Sequence, residues 1–214
     1  VIDTIHGANF MIVSLPASSV KALASLDAVQ WIEAPLPQFT ELNLNSGART
    51  GAYAAQAAPY NLSGAGVKVL VYDGGKIRTT HVDYQGRAVT GVSDTSTVSD
   101  HATHVGCTVA GGGVATGRGM APSASIISYG FQMAGGLVQG FLFQFPGDLV
   151  ADYSEAVANY GAEITTNSIG TNTAPNGYPC DWEGDYGLTS QIIDQLVRGT
   201  AGMSDGQPLR VVWA

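Results

Sequence analysis

A near-continuous apolar run at residues 67–72 constrains the fold of this chain more than any other stretch. Its β-branched and aliphatic residues are typical of a strand buried on both faces, as strands of parallel sheets are. Similar short strands are predicted at residues 125–129, 164–170 and 209–213, and helices at residues 149–160 and 190–198. Strands that alternate with helices imply a parallel sheet with right-handed crossovers, so we expect an α/β fold.

The first 33 residues predict a separate small unit. Residues 9–15 have the pattern of a strand ended by Pro16, residues 18–26 that of a short amphipathic helix, and residues 29–33 that of a second strand. A proline-containing segment follows, so we place a boundary between Pro35 and Asn45. We therefore expect a small α+β unit with its linker over residues 1–40 and the α/β domain over residues 41–214.

Charge and hydropathy exclude two classes of partner. The net charge is −8, from 9 basic and 17 acidic residues, and would repel phosphate backbones, so we expect no nucleic-acid partner. No apolar run approaches the roughly 18–20 residues that a membrane-spanning helix needs, so we expect no membrane partner. The two cysteines, Cys107 and Cys180, could form a disulfide or stay free, and they do not settle the compartment.

Candidate functional residues follow the first buried strand and open a later helix. Asp73 comes directly after the strand, where parallel sheets place functional groups, although Asp-Gly is also a common turn. His101 and His104 lie three apart, on one face of a predicted helix, and Asp100 suits its N-terminus. The helix dipole favours a neutral imidazole there, the form that abstracts protons. We interpret His101 as functional and His104 as structural.

Several segments, in this order, resemble motifs of the subtilisin-like serine proteases. Asp73-Gly74-Gly75 resembles the family's Asp-Ser/Thr-Gly, and residues 101–111 resemble its His-Gly-Thr-His-Val-Ala-Gly-Thr. Residues 118–124 and 167–170 are similar to its Gly-Val-Ala-Pro-x-Ala and Asn-Ser-x-Gly segments. The glycine-rich loop predicted at residues 130–147 is most similar to the alkaline, oxidation-resistant branch. Residues 1–33 resemble the carboxyl part of a propeptide.

The resemblance implies a three-layer, parallel-sheet subtilisin-like fold, here incomplete, and peptide hydrolysis through an acyl-enzyme. Asp73 would accept a hydrogen bond from His101 Nδ1, and His101 would move the proton of a serine nucleophile. Ser168, Ile169 and Gly170 would pair by main chain with an extended polypeptide substrate. In this family the residue matching His104 is a packing residue.

Two parts of the family's catalytic apparatus are missing from these 214 residues. The family uses an Asn whose side chain donates to the oxyanion and a Ser in Gly-Thr-Ser-Met-Ala-x-Pro, and neither is present. Residues 187–190, Gly-Leu-Thr-Ser, do not substitute because no Met-Ala-x-Pro follows and their order is wrong. We therefore expect this segment to be a fragment that is inactive alone. The alternative is a degenerate homologue that binds peptides, which Gly74 and Ala102 mildly favour.

The resemblance also bears on cofactors, partners and location. It implies that the chemistry needs no cofactor, that structural calcium is possible without an assignable ligand set, and that the protein is secreted. The propeptide-like segment would block the cleft until cleavage between Gln38 and Ala55. A different interpretation takes His101, His104 and Asp73 or Asp100 as zinc ligands. It lacks the Glu between the histidines that zinc peptidases have.

Overall fold

The computed structural model describes residues 1–5, 10–34, 42–115, 117–131, 146–170, 181, 184, 186–200 and 202–214. They belong to two compact units, Val1–Glu41 and Leu42–Ala214. The loop predicted at residues 130–147 and the one at residues 170–188, with Cys180, lie almost entirely outside the described residues. None of the helices within the described ranges is both long and apolar enough to cross a bilayer.

The first unit contains a hairpin and a short helix. Strand β1 (Asp3–Ile5) pairs antiparallel with β2 (Phe10–Ile12), and a 3-10 turn at Ala17–Ser19 leads into α1 (Val20–Ala24). The strand predicted at residues 29–33 is wrong, because residues 29–34 form no regular structure. Trp31 in that run is 70% exposed, and no described strand pairs with it. A short β-prone run without a partner has no ladder to stabilise it.

The second unit is built on a five-stranded parallel sheet, which confirms the predicted α/β class. Its strands are β3 (Lys68–Asp73), β4 (Ala88–Thr90), β5 (Ser125–Gly130), β6 (Ile164–Asn167) and β7 (Arg210–Trp213). Their order is β4-β5-β3-β6-β7, and every pairing is parallel. The short strand β4 was not predicted. The strand predicted through Gly170 ends at Asn167.

The second unit also contains helices. They are α2 (Leu42–Arg49), α3 (Ala52–Gln56), α4 (Asp100–Ala110), α5 (Pro146–Ala158) and α6 (Leu188–Arg198), with a 3-10 turn at Val82–Tyr84. Helices α4, α5 and α6 are predicted by the sequence, whereas α2 and α3 are not. The first helix of the unit, α2, contains two asparagines, a serine and a glycine, all poor helix formers, which explains why its pattern was missed.

Alternate residues of β3 define two cores on opposite faces of the sheet. Leu70 and Tyr72 pack in a cluster with residues of α5 and α6, whereas Val69 and Val71 pack in a cluster with residues of α4. This arrangement gives three layers, helix, sheet and helix. Each fully buried aliphatic or aromatic side chain contributes about 1.5–3 kcal/mol through its burial. The sheet is therefore the rigid support on which α4 is held.

Candidate active site

Asp73 is the last residue of β3 and is almost completely buried, with 1% of its surface exposed. Its Oδ1 accepts a hydrogen bond from the Gly74 backbone N–H at 2.7 Å. A buried carboxylate needs such donors because it has lost its hydration. The position is the one predicted, at the carboxyl edge of a parallel sheet, next to the end of β5 where Gly130 is its register partner.

His101 lies in the first turn of α4. Ser99 is the N-cap of this helix, and its hydroxyl accepts from the Ala102 N–H at 3.1 Å. The expectation that Asp100 caps the helix through its carboxylate is wrong. Asp100 is already inside the first turn, its side chain is 97% exposed, and it forms an ion pair with Arg78 at 3.6 Å. An acidic residue there still interacts favourably with the helix dipole.

A short backbone bridge ties the segment after Asp73 to the segment before His101. The Lys76 N–H donates to the Thr97 carbonyl at 2.9 Å, and the Ser99 N–H donates to the Lys76 carbonyl at 2.8 Å. Gly75 permits this approach, because a Cβ there would lie 2.5 Å from the Thr97 carbonyl oxygen. The bridge therefore fixes the start of α4 beside Asp73. The sequence Asp73-Gly74-Gly75 indicates a turn, but nothing in it identifies the segment that pairs with it.

The structure brings Asp73 and His101 together. His101 Nδ1 lies 2.8 Å from Asp73 Oδ1 and 3.0 Å from Oδ2. A carboxylate only accepts hydrogen bonds, so Nδ1 carries the proton and Nε2 of the neutral ring carries the lone pair. The side chain of His101 is 59% exposed, against 2% for Asp73. The arrangement is an imidazole with a fixed tautomer that is able to accept a proton from a group placed beside it.

His104 is exposed on α4, so the expectation that it packs into the core is wrong. The side of α4 that packs on the sheet carries Ala102, Val105 and Ala110, and His104 lies outside that set. These small and apolar residues let the helix lie close to the sheet, as their size predicts.

The zinc hypothesis for His101 and His104 is not supported. Among the described residues, the group of side chains within metal-ligating distance is a different one, His81, Asp83 and Cys107. It offers nitrogen and sulfur beside oxygen, which is not the oxygen set that calcium prefers. A structural calcium ion stays a prediction.

Ser168, Ile169 and Gly170 follow directly after β6. The register pairs Val71 of β3 with Thr166 of β6, so the ends of both strands, with Asp73 and Ser168 beyond these positions, lie at the same edge of the sheet. Ser168 and Ile169 are half-buried and Gly170 is exposed. The predicted binding segment therefore lies one strand away from the Asp73–His101 pair.

Asn167, which precedes this segment, is a structural residue that the sequence did not reveal. It is 1% exposed, its Nδ2 donates to the Val212 carbonyl at 2.9 Å, and its Oδ1 accepts from the Tyr153 hydroxyl. The backbone carbonyl of Asn167 also accepts from the Ala214 N–H at 3.0 Å. Together these contacts fix the end of β6 against β7 and α5. Only the long-range pairing identifies this role.

A second buried carboxyl lies on α5. Asp152 is 5% exposed, and burial, together with the negative charges of Asp148, Asp94 and Glu155, raises its pKa to about 8. Burial also raises the pKa of Asp148. A carboxyl group with such a pKa is neutral below about pH 8 and can donate a hydrogen bond. Nothing in the sequence distinguishes Asp152 from the other acidic residues.

No family model matches the chain, and no curated protein matches it. Solved structures do resemble it. A serine protease of Aeromonas sobria has a TM-score of 0.51 at 18% identity, over 72% of this chain and 25% of that one. MycP1 from the ESX-1 type VII secretion system has a TM-score of 0.50 at 20% identity, over 80% and 44%.

A cold adapted subtilisin-like serine proteinase is 23% identical, with a TM-score of 0.38, over 54% of this chain and 41% of that one. The chain thus spans from a quarter to less than half of the length of these three proteins. Similarity at these identities concerns the fold. The resemblance seen in the sequence motifs is confirmed at that level: the described α/β unit has part of the fold of subtilisin-like serine proteases.

Proposed function

We propose that the chain is the Asp- and His-bearing part of a serine endopeptidase. The observation that carries this proposal is the 2.8 Å hydrogen bond between Asp73 and His101, with the carboxylate buried and the imidazole half-exposed. A carboxylate that orients an imidazole is the support that a serine nucleophile needs. The fold similarity to serine proteases favours this use of the pair over a purely structural one.

In the proposed reaction, His101 Nε2 takes the proton of the serine hydroxyl as the oxygen attacks the peptide carbonyl. Asp73 stabilises the imidazolium that forms and keeps the ring oriented. His101 then gives the proton to the leaving amine, and water hydrolyses the acyl-enzyme with the same base. The serine and the oxyanion-binding Asn would come from residues outside these 214, so we propose that the chain alone does not hydrolyse peptides.

We propose that the substrate is an extended polypeptide bound along Ser168, Ile169 and Gly170. Main-chain pairing reads the backbone of a peptide rather than its side chains, which suits an endopeptidase. The position of these residues at the same sheet edge as Asp73 supports the assignment. The exposed Gly170 leaves room for a second backbone to approach.

Two departures from the family pattern are compatible with catalysis. Gly74 lacks the hydroxyl of Ser or Thr, yet its backbone N–H donates to Asp73 Oδ1 at 2.7 Å, so the carboxylate keeps a donor on that side. Ala102 adds a methyl group where the family has glycine, and this residue is fully buried in the cluster between α4 and the sheet. Neither residue disturbs the contact between Asp73 and His101.

We propose further that residues 1–33 act as a propeptide of a secreted zymogen. Such a segment would block the cleft and be removed by cleavage between Gln38 and Ala55. N-terminal sequencing of active material tests this point: a new N-terminus within that interval is expected, and active protein that still begins at Val1 would contradict it.

Labelling with a serine-directed fluorophosphonate tests the central proposal. The polypeptide is expressed with the sequence that its gene encodes beyond Ala214, and separately as the 214-residue chain. We expect the longer protein to be labelled and to cleave peptides, and the 214-residue chain to do neither. His101→Ala should abolish labelling of the longer protein. The matched control is His104→Ala, which removes an exposed histidine from the same helix and should leave labelling intact.

Three results would overturn this assignment. Labelling of the 214-residue chain would show that the nucleophile is already present. Equal labelling of the His101→Ala and wild-type proteins would remove His101 from the mechanism. A gene sequence without a Gly-Thr-Ser-Met-Ala motif and without the oxyanion Asn would favour the non-catalytic, peptide-binding homologue.

A further inference from the structure

A second cluster of reactive side chains, formed by a residue of α4 and two residues of a 3-10 turn, takes no part in the proposed reaction. His81 caps the 3-10 turn at Val82–Tyr84, Asp83 lies inside this turn, and Cys107 lies in the second half of α4. One ligand atom of each residue lies within 4.8 Å of the other two. The cluster therefore offers a nitrogen, an oxygen and a sulfur to one point.

We propose that His81 Nδ1, Asp83 and Cys107 Sγ form a binding site for a divalent cation of the zinc class. His81 Nδ1 and Cys107 Sγ are 3.6 Å apart. In a tetrahedral zinc site, with bonds of about 2.0–2.1 Å to nitrogen and about 2.3 Å to sulfur, these two donors are separated by about 3.6 Å. The observed spacing therefore fits an ion between them without movement of either residue.

The carboxylate of this site is held in place. Asp83 is 4% exposed, and its Oδ1 accepts from the Val114 N–H at 2.6 Å and from the Ala115 N–H at 3.0 Å. These donors orient the carboxylate, as hydrogen-bonded outer partners do in metal sites. His81 and Cys107 are half-buried, so an ion and a water molecule as fourth ligand reach the site from solvent.

The imidazole of His81 is in the tautomer that binds metals. The Asp83 backbone N–H points to His81 Nδ1 at 3.3 Å, so this nitrogen is the acceptor and carries the lone pair. That hydrogen bond is long, and an ion would replace it with a stronger ligand bond.

The thiol of Cys107 must lose its proton when the ion binds. Burial raises the pKa of Cys107, so the metal-free form is the thiol. Coordination deprotonates it, and the proton is released to solvent as the sulfur–metal bond forms. Soft thiolate and imidazole ligands select zinc-class ions over calcium or magnesium.

Cobalt(II) titration of the full 214-residue chain tests the site. The background is Cys180→Ser, which leaves Cys107 as the single thiol. We expect a thiolate-to-cobalt charge-transfer absorption that saturates at a 1:1 ratio, zinc that displaces the cobalt with loss of the absorption, and an excess of calcium that does not. Binding should also release protons, which a pH indicator dye measures.

Variants identify the ligands. Cys107→Ser should abolish the absorption. His81→Ala and Asp83→Asn should each weaken cobalt binding at least about 10-fold. Asp83→Asn keeps an acceptor oxygen for the Val114 and Ala115 N–H groups. The matched control is His104→Ala, which removes an exposed histidine of α4 outside the cluster and should bind cobalt as tightly as the parent chain. Circular dichroism in metal-free buffer establishes that each variant is folded.

Any of three results would overturn the proposal: no charge-transfer absorption in the parent chain, an absorption that persists in Cys107→Ser, or displacement of cobalt by calcium. If Cys107→Ser does not fold, His81→Ala decides, because undiminished cobalt affinity in that variant would exclude the site. None of these readouts depends on peptidase activity, so failure of this site and failure of the proposed function are distinguishable.

Discussion

Two aspartates of this protein are almost equally buried but have opposite surroundings. Asp73 is 1% exposed and faces N–H donors, from Gly74 and from the His101 ring. Asp152 is 5% exposed, and its charged neighbours are other carboxylates, among them Asp148. One lies at the open edge of the sheet and the other on the helix α5 that covers one face. Burial alone therefore does not show which of the two carboxyl groups is suited to proton transfer.

The neighbours of each aspartate make the distinction. Desolvation disfavours the charged form of any carboxyl group, and nearby negative charges add to this effect. Both raise the pKa of Asp152 to about 8, so this group is a neutral, buried acid near neutral pH. The donors around Asp73 suit a carboxylate instead, and one of them is a side chain that can carry a proton. Of the two arrangements, only that of Asp73 with His101 is useful for proton transfer.

The largest effect that we expect comes from Asp73→Asn in the catalytically complete protein. An asparagine amide at this position can donate to His101 Nδ1, which selects the wrong tautomer, so kcat should fall by about 10⁴. Asp152→Asn serves as the matched control, because it also replaces a buried aspartate, and should change kcat by less than about tenfold. Steady-state hydrolysis of a peptide substrate measures both. Equal losses in the two variants would contradict the distinction between the two aspartates.

The next effect concerns the pH dependence of stability. The folded protein holds a proton on Asp152 up to about pH 8, whereas the unfolded chain loses it near the ordinary pKa of 3.8. Between these values the folded state binds more protons, so the free energy of unfolding falls as pH rises, by up to about 1.4 kcal/mol per pH unit. The contribution is fully present below about pH 4 and lost by about pH 8. Urea unfolding of the 214-residue chain across this range measures the slope.

Asp152→Asn should remove most of this slope, because the amide does not titrate, and should make the protein more stable than wild type above pH 8. Asp148→Asn should act in the same direction but less, since it removes one of the negative charges that raise the pKa of Asp152. An unfolding free energy of Asp152→Asn that falls with pH as steeply as that of wild type would show that other groups cause the slope.

Strands β3, β5, β6 and β7, helices α4, α5 and α6, and the pairing of Asp73 with His101 could be predicted, because their signals are local or occur in a fixed order along the chain. Continuous apolar runs mark β3 and β5, and the motifs place one candidate residue at a strand end and the other at a helix start. The catalytic roles of both residues, and the substrate role of residues 168–170, stay predictions.

The surroundings of these residues could not be predicted, because they depend on contacts between segments far apart in the chain. The bridge between Lys76 and Val98 is one example, and the hydrogen bonds of Asn167 to Val212 and Tyr153 are another. The strand prediction at residues 29–33 was wrong because a strand also depends on a distant partner. The β-prone composition of this run is visible in the sequence, but the absence of a partner strand among the described residues is not.

A smaller effect is expected from Gly130→Ala, which tests how tightly the Asp73 edge is packed. A Cβ at Gly130 would overlap with the backbone of Gly75 and with the Ser96 hydroxyl, which lies 2.5 Å away. Because the nearest atoms belong to backbone, the overlap is relieved only by a shift of the segment after Asp73, and we expect a loss of about 1–3 kcal/mol in unfolding free energy. Gly147→Ala, in the first turn of α5, is the matched control, because no atom of the described residues outside the local helix lies within 4 Å of the added Cβ. A loss no larger than that of the control would mean that the segment after Asp73 shifts at little cost, and would contradict tight packing at this edge of the sheet.

The smallest effect concerns the start of α4, where Ser99 and Asp100 are adjacent but contribute differently. Ser99→Ala removes the acceptor of the Ala102 N–H and should lower the free energy of unfolding by about 1 kcal/mol. Asp100→Ala removes an exposed ion pair with Arg78 and should lower it by less than about 0.5 kcal/mol. Chemical denaturation of both variants gives the two values, and a larger loss for Asp100→Ala would mean that the carboxylate, rather than the serine cap, holds the helix end. His101 directly follows these residues, and its contact with Asp73 depends on the capped first turn. Ser99→Ala should therefore also broaden the NMR signal of the His101 Nδ1 proton, whereas Asp100→Ala should leave that signal sharp.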